Sequence, residues 1–141
     1  MPLDWTPDTS PMWDADKRRV LGAAPAGSLP DYDMADGTAA PGDWYRVERN
    51  GEVVGFGWMD TVWGDAEVLL AVDPAHHGHG VGTFILEHLE AEAAKRGLGR
   101  IYNTVTEAHP QRQQVMAWLG KRGFTSRGAR EHLERQVRRA Q

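Results

Sequence analysis

Between Asp73 and Thr83 the chain reads DPAHHGHGVGT, and this short stretch holds three histidines and three glycines. Glycine lets bare main chain come close to a ligand. Where such a turn opens a helix, unpaired N–H groups and the positive end of the helix dipole converge on one point. That arrangement attracts phosphate, so Gly78, Gly80 and Gly82 are read as a pyrophosphate cradle. Two competing nucleotide motifs fail on their spacing. Thr83 stands where a dinucleotide fingerprint counted from Gly78 needs glycine, and no Gly-Lys-Ser/Thr ending follows. His76, His77 and His79 raise the question of a metal, since imidazole is a common ligand. Three histidines within four residues of a tight turn seldom converge on one ion, and no carboxylate stands at ligand spacing, so no metal is expected.

The elements that would hold this turn are legible on both sides. Val68, Leu69, Leu70, Ala71 and Val72 form a continuous apolar run closed by Asp73 and Pro74, as in a strand covered on both faces. From Val81 onward, Val81, Ile85 and Leu89 recur at helical spacing beside Phe84, with Glu87, Glu90 and Lys95 on other faces. Glu92 and Arg96 stand at ion-pair spacing, and Gly97 is a natural helix stop. Arg100 to Thr106 is rich in β-branched residues, and a helix between two strands implies that they run parallel.

Upstream, Asn50-Gly51 predicts a two-residue hairpin pairing Arg49 with Glu52. That register puts Tyr45, Val47, Val54, Phe56 and Trp58 on one core face and leaves Gly55 and Gly57 on the other, open to a helix or ligand. Trp63-Gly64-Asp65 should turn into the central strand at Ala66. Downstream, Pro110 suits a helix start, and Val115, Trp118 and Leu119 form its apolar stripe before Gly123. Phe124 to Arg127 and His132 to Val137 read as final short strands.

One domain is expected from 141 residues, with a Pro- and Asp-rich region over about residues 1–42. There, Asp14 to Leu21 reads as a helix and Leu3 to Trp5 as a candidate strand. Trp5, Trp13 and Tyr32 fit aromatic pins for this segment, with an acceptor-pocket wall as the alternative. Of the six tryptophans, Trp58 and Trp118 fall at packing positions, while Trp44 and Trp63 are freer to line an acceptor site. Cysteine is absent, which excludes a disulfide framework, a thiolate metal site and a cysteine nucleophile. The acidic, proline-rich start and the lack of a long apolar run lead to an expectation of a soluble cytoplasmic protein, without membrane partners. A net charge of −4 argues against general nucleic-acid binding. Residues 121–141 nevertheless carry seven basic residues against two Glu, a decoration that suits a solvated strand edge. Edge strands there leave a homodimer open.

His77, Gly80 and Gly82 resemble the Gln/Arg-x-x-Gly-x-Gly/Ala signature of the GNAT superfamily of N-acetyltransferases, with Val-Asp-Pro before it. AWLGKRGF, from Ala117 to Phe124, resembles the family's helix running into Gly-Phe. The similarity covers about residues 43–137, and His77 departs from the usual Gln or Arg. It implies an α/β fold, a central mixed sheet flanked by helices. It also implies acetyl-CoA as donor substrate, with pantetheine between two splayed parallel strands, here Ala66 to Val72 and Arg100 to Thr106.

By that resemblance, backbone groups of Leu70, Ala71 and Val72 hold the pantetheine and polarise the thioester. His77, Gly78, His79, Gly80, Val81, Gly82 and Thr83 take the pyrophosphate. The implied reaction is direct acyl transfer to a primary amine, expected to belong to a small molecule. A protein lysine or N-terminus is the alternative acceptor, and a non-catalytic acyl-CoA-binding module is the alternative from another class. Glu67 is the first candidate base, with Asp65 and His109 in reserve. The tyrosine that many members place four residues before the final Gly is Leu119 here, so the thiolate leaves unassisted or takes its proton from water, Tyr102 or His109.

Overall fold

The computed structural model describes residues 2–23, 35–78, 80–105, 109–126 and 132–137. Strand β1 (Asp4–Asp8) and helix α1 (Ala15–Gly22) precede strands β2 (Asp43–Arg49), β3 (Glu52–Val62) and β4 (Asp65–Val72). Helix α2 (Val81–Lys95), β5 (Arg100–Thr104), α3 (Arg112–Gly120), β6 (Thr125–Ser126) and β7 (His132–Gln136) follow. The seven strands form one mixed sheet in the order β1-β2-β3-β4-β5-β7-β6. Only β4 and β5 run parallel, as the helical crossover requires. His79, Tyr32 and the ends of the expected strands at Thr106 and Arg127 lie outside the described residues.

Each element forms for a local reason. Asp14 caps α1 by accepting the Lys17 N–H at 2.8 Å. Asn50 (φ 54°) and Gly51 (φ 78°) make the hairpin turn, and Trp63 (φ 51°) with Gly64 (φ 83°) makes the next. Gly97 (φ 71°) ends α2 where expected. Pro110 sits just ahead of α3 and not inside it, since Gln111 is the cap residue.

The hairpin register departs from expectation after two pairs. Arg49 does face Glu52 and Glu48 faces Val53, but Val47 then faces Gly55, so Val54 is an extra residue in a β-bulge. Beyond the bulge every residue changes face. Gly55 and Gly57 therefore lie with Tyr45, Val47 and Val54, while Phe56 and Trp58 turn to the opposite side with Trp44. The expected approach of a helix over the two glycines does occur. A Cβ on Gly55 would sit 2.8 Å from the Ala71 carbonyl and 3.2 Å from Ile85, and one on Gly57 would sit 3.0 Å from Ile85 and 3.3 Å from Leu89.

Two cores result. Under α2, Val81, Ile85, Leu86 and Leu89 pack on Val47, Val54, Met59 and Val68. Under α1, Val20 and Leu21 pack with Trp13, Trp44 and Phe56. Trp13 is buried, and Trp5 stacks on Tyr45 with ring centroids 4.7 Å apart, so both pin the N-terminal segment. Trp44 is in the core and Trp63 is 99% exposed on a hairpin tip remote from the cavity described below, so neither lines an acceptor pocket there. Glu90 is buried and pairs with Arg135 of β7 at 2.8 Å, in place of the outward position expected for it. Arg96 bonds Asp43 at 2.7 Å and the Tyr45 hydroxyl at 3.0 Å, and Glu92 pairs with Lys95. Among the described residues no helix is long and apolar enough to cross a membrane.

Candidate active site

The parallel ladder between β4 and β5 is two residue pairs long, Ala66 with Ile101 and Glu67 with Tyr102. Past that point β4 stays paired to β3 through Val72, while on its other side β5 diverges. Asn103, 8% exposed, bridges the start of the gap by donating from Nδ2 to the Val68 carbonyl at 2.8 Å. A buried amide in an otherwise β-branched segment was the one sequence signal for this bond.

A cavity of about 640 Å³ opens where the strands part. Its floor includes Leu70, Ala71 and Val72 of β4, with Asn103 and Thr104 of β5 and Val105 just beyond that strand opposite. His77, Gly78, Gly80, Val81, Gly82 and Thr83 form one wall. Gly78 and Gly80 both have φ of 79°, a left-handed conformation, and among the described residues nothing lies within 4 Å of where a Cβ would sit on either. Glycine is needed there for its backbone shape, and the space above stays open. Among the described residues no side chain caps α2, whose first backbone bond is Phe84 N–H to the Gly80 carbonyl at 3.0 Å. The amides of its first turn therefore face the cavity with the helix dipole behind them.

The charge of the lining is one-sided. The chain carries 20 acidic residues, yet no Asp or Glu is among the described lining residues. His76, His77, His109 and Arg122 are. Arg122 is the functional candidate that the sequence reading missed. Its place just after α3 reads as a complement to the helix dipole. In the fold its guanidinium lies 3.8 Å from the Trp118 ring and donates to the Thr83 hydroxyl at 2.9 Å.

The three proton-transfer candidates separate. His109 lines the cavity, and its Nδ1 accepts the Gln111 N–H at 2.9 Å, an assignment that leaves the neutral ring with its proton on Nε2. That tautomer is a donor, which suits the acid role better than the base role. Glu67 and Tyr102 do not line the cavity. They stand side by side in the last rung of the parallel ladder, with the Thr104 hydroxyl 3.4 Å from the Glu67 carboxylate. Burial raises the Tyr102 pKa above its ordinary value, and the charges of Glu67, Asp60 and Asp65 add to the effect, so it is a neutral phenol at physiological pH. Leu119, 1% exposed, is core and offers no proton. One trio, Glu52, Asp73 and His76, brings a ligand atom each within 4.8 Å. Arg19 already sits on the Asp73 carboxylate, which also accepts the Ala75 N–H, so a guanidinium holds this cluster together.

A seven-stranded sheet with one parallel rung opening beside a glycine turn agrees with a comparison of sequences. Residues 6–124 match the Acetyltransferase (GNAT) family, and the chain belongs to this family of acyl-CoA-dependent N-acetyltransferases. A mycothiol acetyltransferase from Catenulispora acidiphila is 29% identical over 117 residues, 73% of this chain and 36% of that protein. The chain thus spans about a third of that relative's length. Among solved structures, the ribosomal-protein-S18-alanine N-acetyltransferase of Escherichia coli superposes with a TM-score of 0.69 at 19% identity, covering 98% of this chain and 97% of that one. N-acetylglutamate synthase from Neisseria gonorrhoeae, complexed with coenzyme A and N-acetyl-glutamate, gives 0.72 at 18% identity over 96% of this chain and 36% of that one. These two likenesses establish the fold.

Proposed function

We propose that this chain transfers the acetyl group of acetyl-CoA directly to the primary amine of a small molecule. The observation that carries the reading is the cavity at the end of β4, with no described carboxylate in its lining, an uncapped helix start and one guanidinium. Such a lining suits a diphosphate. The pantetheine then lies along β4 beyond Glu67, where Leu70, Ala71 and Val72 have no β5 partner. A β4 N–H directed at the thioester oxygen stabilises the oxyanion that forms as the amine attacks. The new N–C bond forms, the C–S bond breaks and CoA leaves as its thiol.

Two protons move. Glu67 and Leu69 share a face of β4, roughly 7 Å apart at two strand residues, so an amine entering beside Leu69 reaches Glu67 through one water. His109, with its proton on Nε2, stands in the cavity as donor to the departing thiolate, and Tyr102 is the neutral alternative on the Glu67 side. The small-molecule acceptor draws support from the curated relative, named for mycothiol and not for a protein.

Calorimetric titration with acetyl-CoA, with ATP and NAD as controls, tests the donor. Selective binding that weakens at least about tenfold in Gly80→Val is expected, because a β-branched residue does not tolerate the left-handed backbone there. An amine screen following thiol release then tests turnover, where Glu67→Gln should lower kcat and leave the KM for acetyl-CoA in place. Tight binding without turnover on any amine would favour a non-catalytic module, and acetylated peptide in place of acetylated metabolite would reassign the acceptor.

A further inference from the structure

Resting on the reading that acetyl-CoA fills the cavity, we propose that Arg122 is the side chain that grips the donor's diphosphate, a task for which the turn offers imidazoles, His76 and His77 among the described residues, but no guanidinium or ammonium. Three observations lead there. The first is position. Thr83 is the third residue of α2, so a guanidinium bonded to its hydroxyl hangs over the same first turn whose amides face the cavity. The second is charge. Among the described residues no carboxylate pairs with Arg122, although the chain is acidic and Arg18, Arg19, Arg46, Arg96, Arg100 and Arg135 all have such partners. A guanidinium left without a counter-ion at the edge of a concave site is complementary to an anion.

The third is rigidity. Nη1 donates to the Trp118 carbonyl at 3.0 Å and Nη2 to the Thr83 hydroxyl at 2.9 Å, while the Trp118 ring supports the guanidinium plane at 3.8 Å. Trp118 in turn rests against Gly82, where a Cβ would be 3.5 Å from the indole. The main chain is fixed as well, since the Arg122 carbonyl accepts from Arg135, the same residue that pairs with the buried Glu90. Two of the five guanidinium N–H donors are thereby used for positioning, and the rest remain for a ligand. The long side chain is already ordered before an anion arrives, so little entropy opposes binding.

The test compares three donors on the intact protein: acetyl-CoA, 3′-dephospho-acetyl-CoA and acetyl-pantetheine. Arg122→Met should weaken the first two alike, by roughly tenfold to a hundredfold, as expected for lost charge-assisted hydrogen bonds. Binding of acetyl-pantetheine, which lacks the diphosphate, should not change. His77→Ala should stay within about threefold of wild type. Thr83→Val, which unties the guanidinium without removing it, should fall between, and Arg122→Lys should recover part of the loss. These two milder variants carry the test if Arg122→Met does not fold. Unchanged binding in Arg122→Met and Thr83→Val would overturn the inference, as would a loss confined to acetyl-CoA, which would place Arg122 at the 3′-phosphate. Wild type that binds none of the three donors would overturn the acetyl-CoA reading first, and this inference with it.

Discussion

The sheet receives α2 and α1 in different ways. Toward α2 it removes side chains. Gly55 and Gly57 lie beneath Val81, Ile85 and Leu89, and the contact is hydrocarbon against bare backbone. Toward α1 an apolar contact through Val20 and Leu21 is joined by charge meeting charge. Lys17 is fully buried, and its three ammonium donors reach Asp8 at 2.9 Å, the Met12 carbonyl at 2.9 Å and Asp14 at 3.2 Å, over the Trp44 and Phe56 rings. Arg46 binds Asp14 and Asp16 from the sheet side. Close apolar contact fixes α2, the helix that follows the glycine turn, in translation. The charged cluster instead ties together a short, proline-rich segment with few apolar side chains of its own, and it does so by direction and distance.

Substitutions on the two faces should therefore fail differently. Lys17→Met removes the buried ammonium from Asp8 and Asp14 and leaves them Arg46 alone, and a loss of about 3 kcal/mol in denaturant unfolding is expected. A loss below about 1 kcal/mol would mean that charge does not dock α1. Gly55→Val drives a side chain into the Ala71 carbonyl, which cannot swing away as a rotamer can. About 2 kcal/mol is expected, with weaker acetyl-CoA binding because α2 is pushed off. If binding survives unchanged, the close approach does not set the turn. Asp14→Asn should have the smallest effect, below about 1 kcal/mol, because asparagine still caps α1 and only the charge is lost.

That last effect carries a pH signature. Burial alone would raise the Asp14 pKa, but the Lys17 N–H and the charges of Lys17 and Arg46 outweigh it and hold the carboxyl below its ordinary 3.8. The folded value is depressed, so the wild-type advantage over Asp14→Asn is complete above the ordinary value and disappears as pH falls through the lower, folded one. Parallel melts from pH 7 down to about pH 2.5 read this directly. A constant gap across that range would remove the charge from the account.

The α2 side was legible because its signals are local. An apolar run, a glycine turn and a helical stripe each lie within a few residues, and together they locate β4, the turn and α2 correctly. The α1 side was not, because Lys17 in DADKRRV reads as an exposed helical lysine, and nothing in the spacing indicates that Asp8 and Arg46 will close around it. The hairpin shows the limit at shorter range. Asn50-Gly51 dictates the turn, but an extra residue four positions later leaves no mark in composition and exchanges the faces of Phe56 and Trp58. Arg122 was passed over for a similar reason: its partners Thr83 and Trp118 meet only through the packing of α3 on α2.

The two-rung ladder has a mechanical meaning. Strands β1 to β4 form one plate and β5, β7 and β6 another, and the seam between them is Ala66 with Ile101, Glu67 with Tyr102, the Asn103 amide and the bond from Arg100 N–H to Asp65 at 3.1 Å. A strand-like arm lying in the notch would extend that seam and brace the plates against each other. A donor bound there would be a structural member of the fold as well as a reactant, and each release of spent coenzyme would leave the two plates hydrogen-bonded to each other only at one end, with the core under α2 as their other tie.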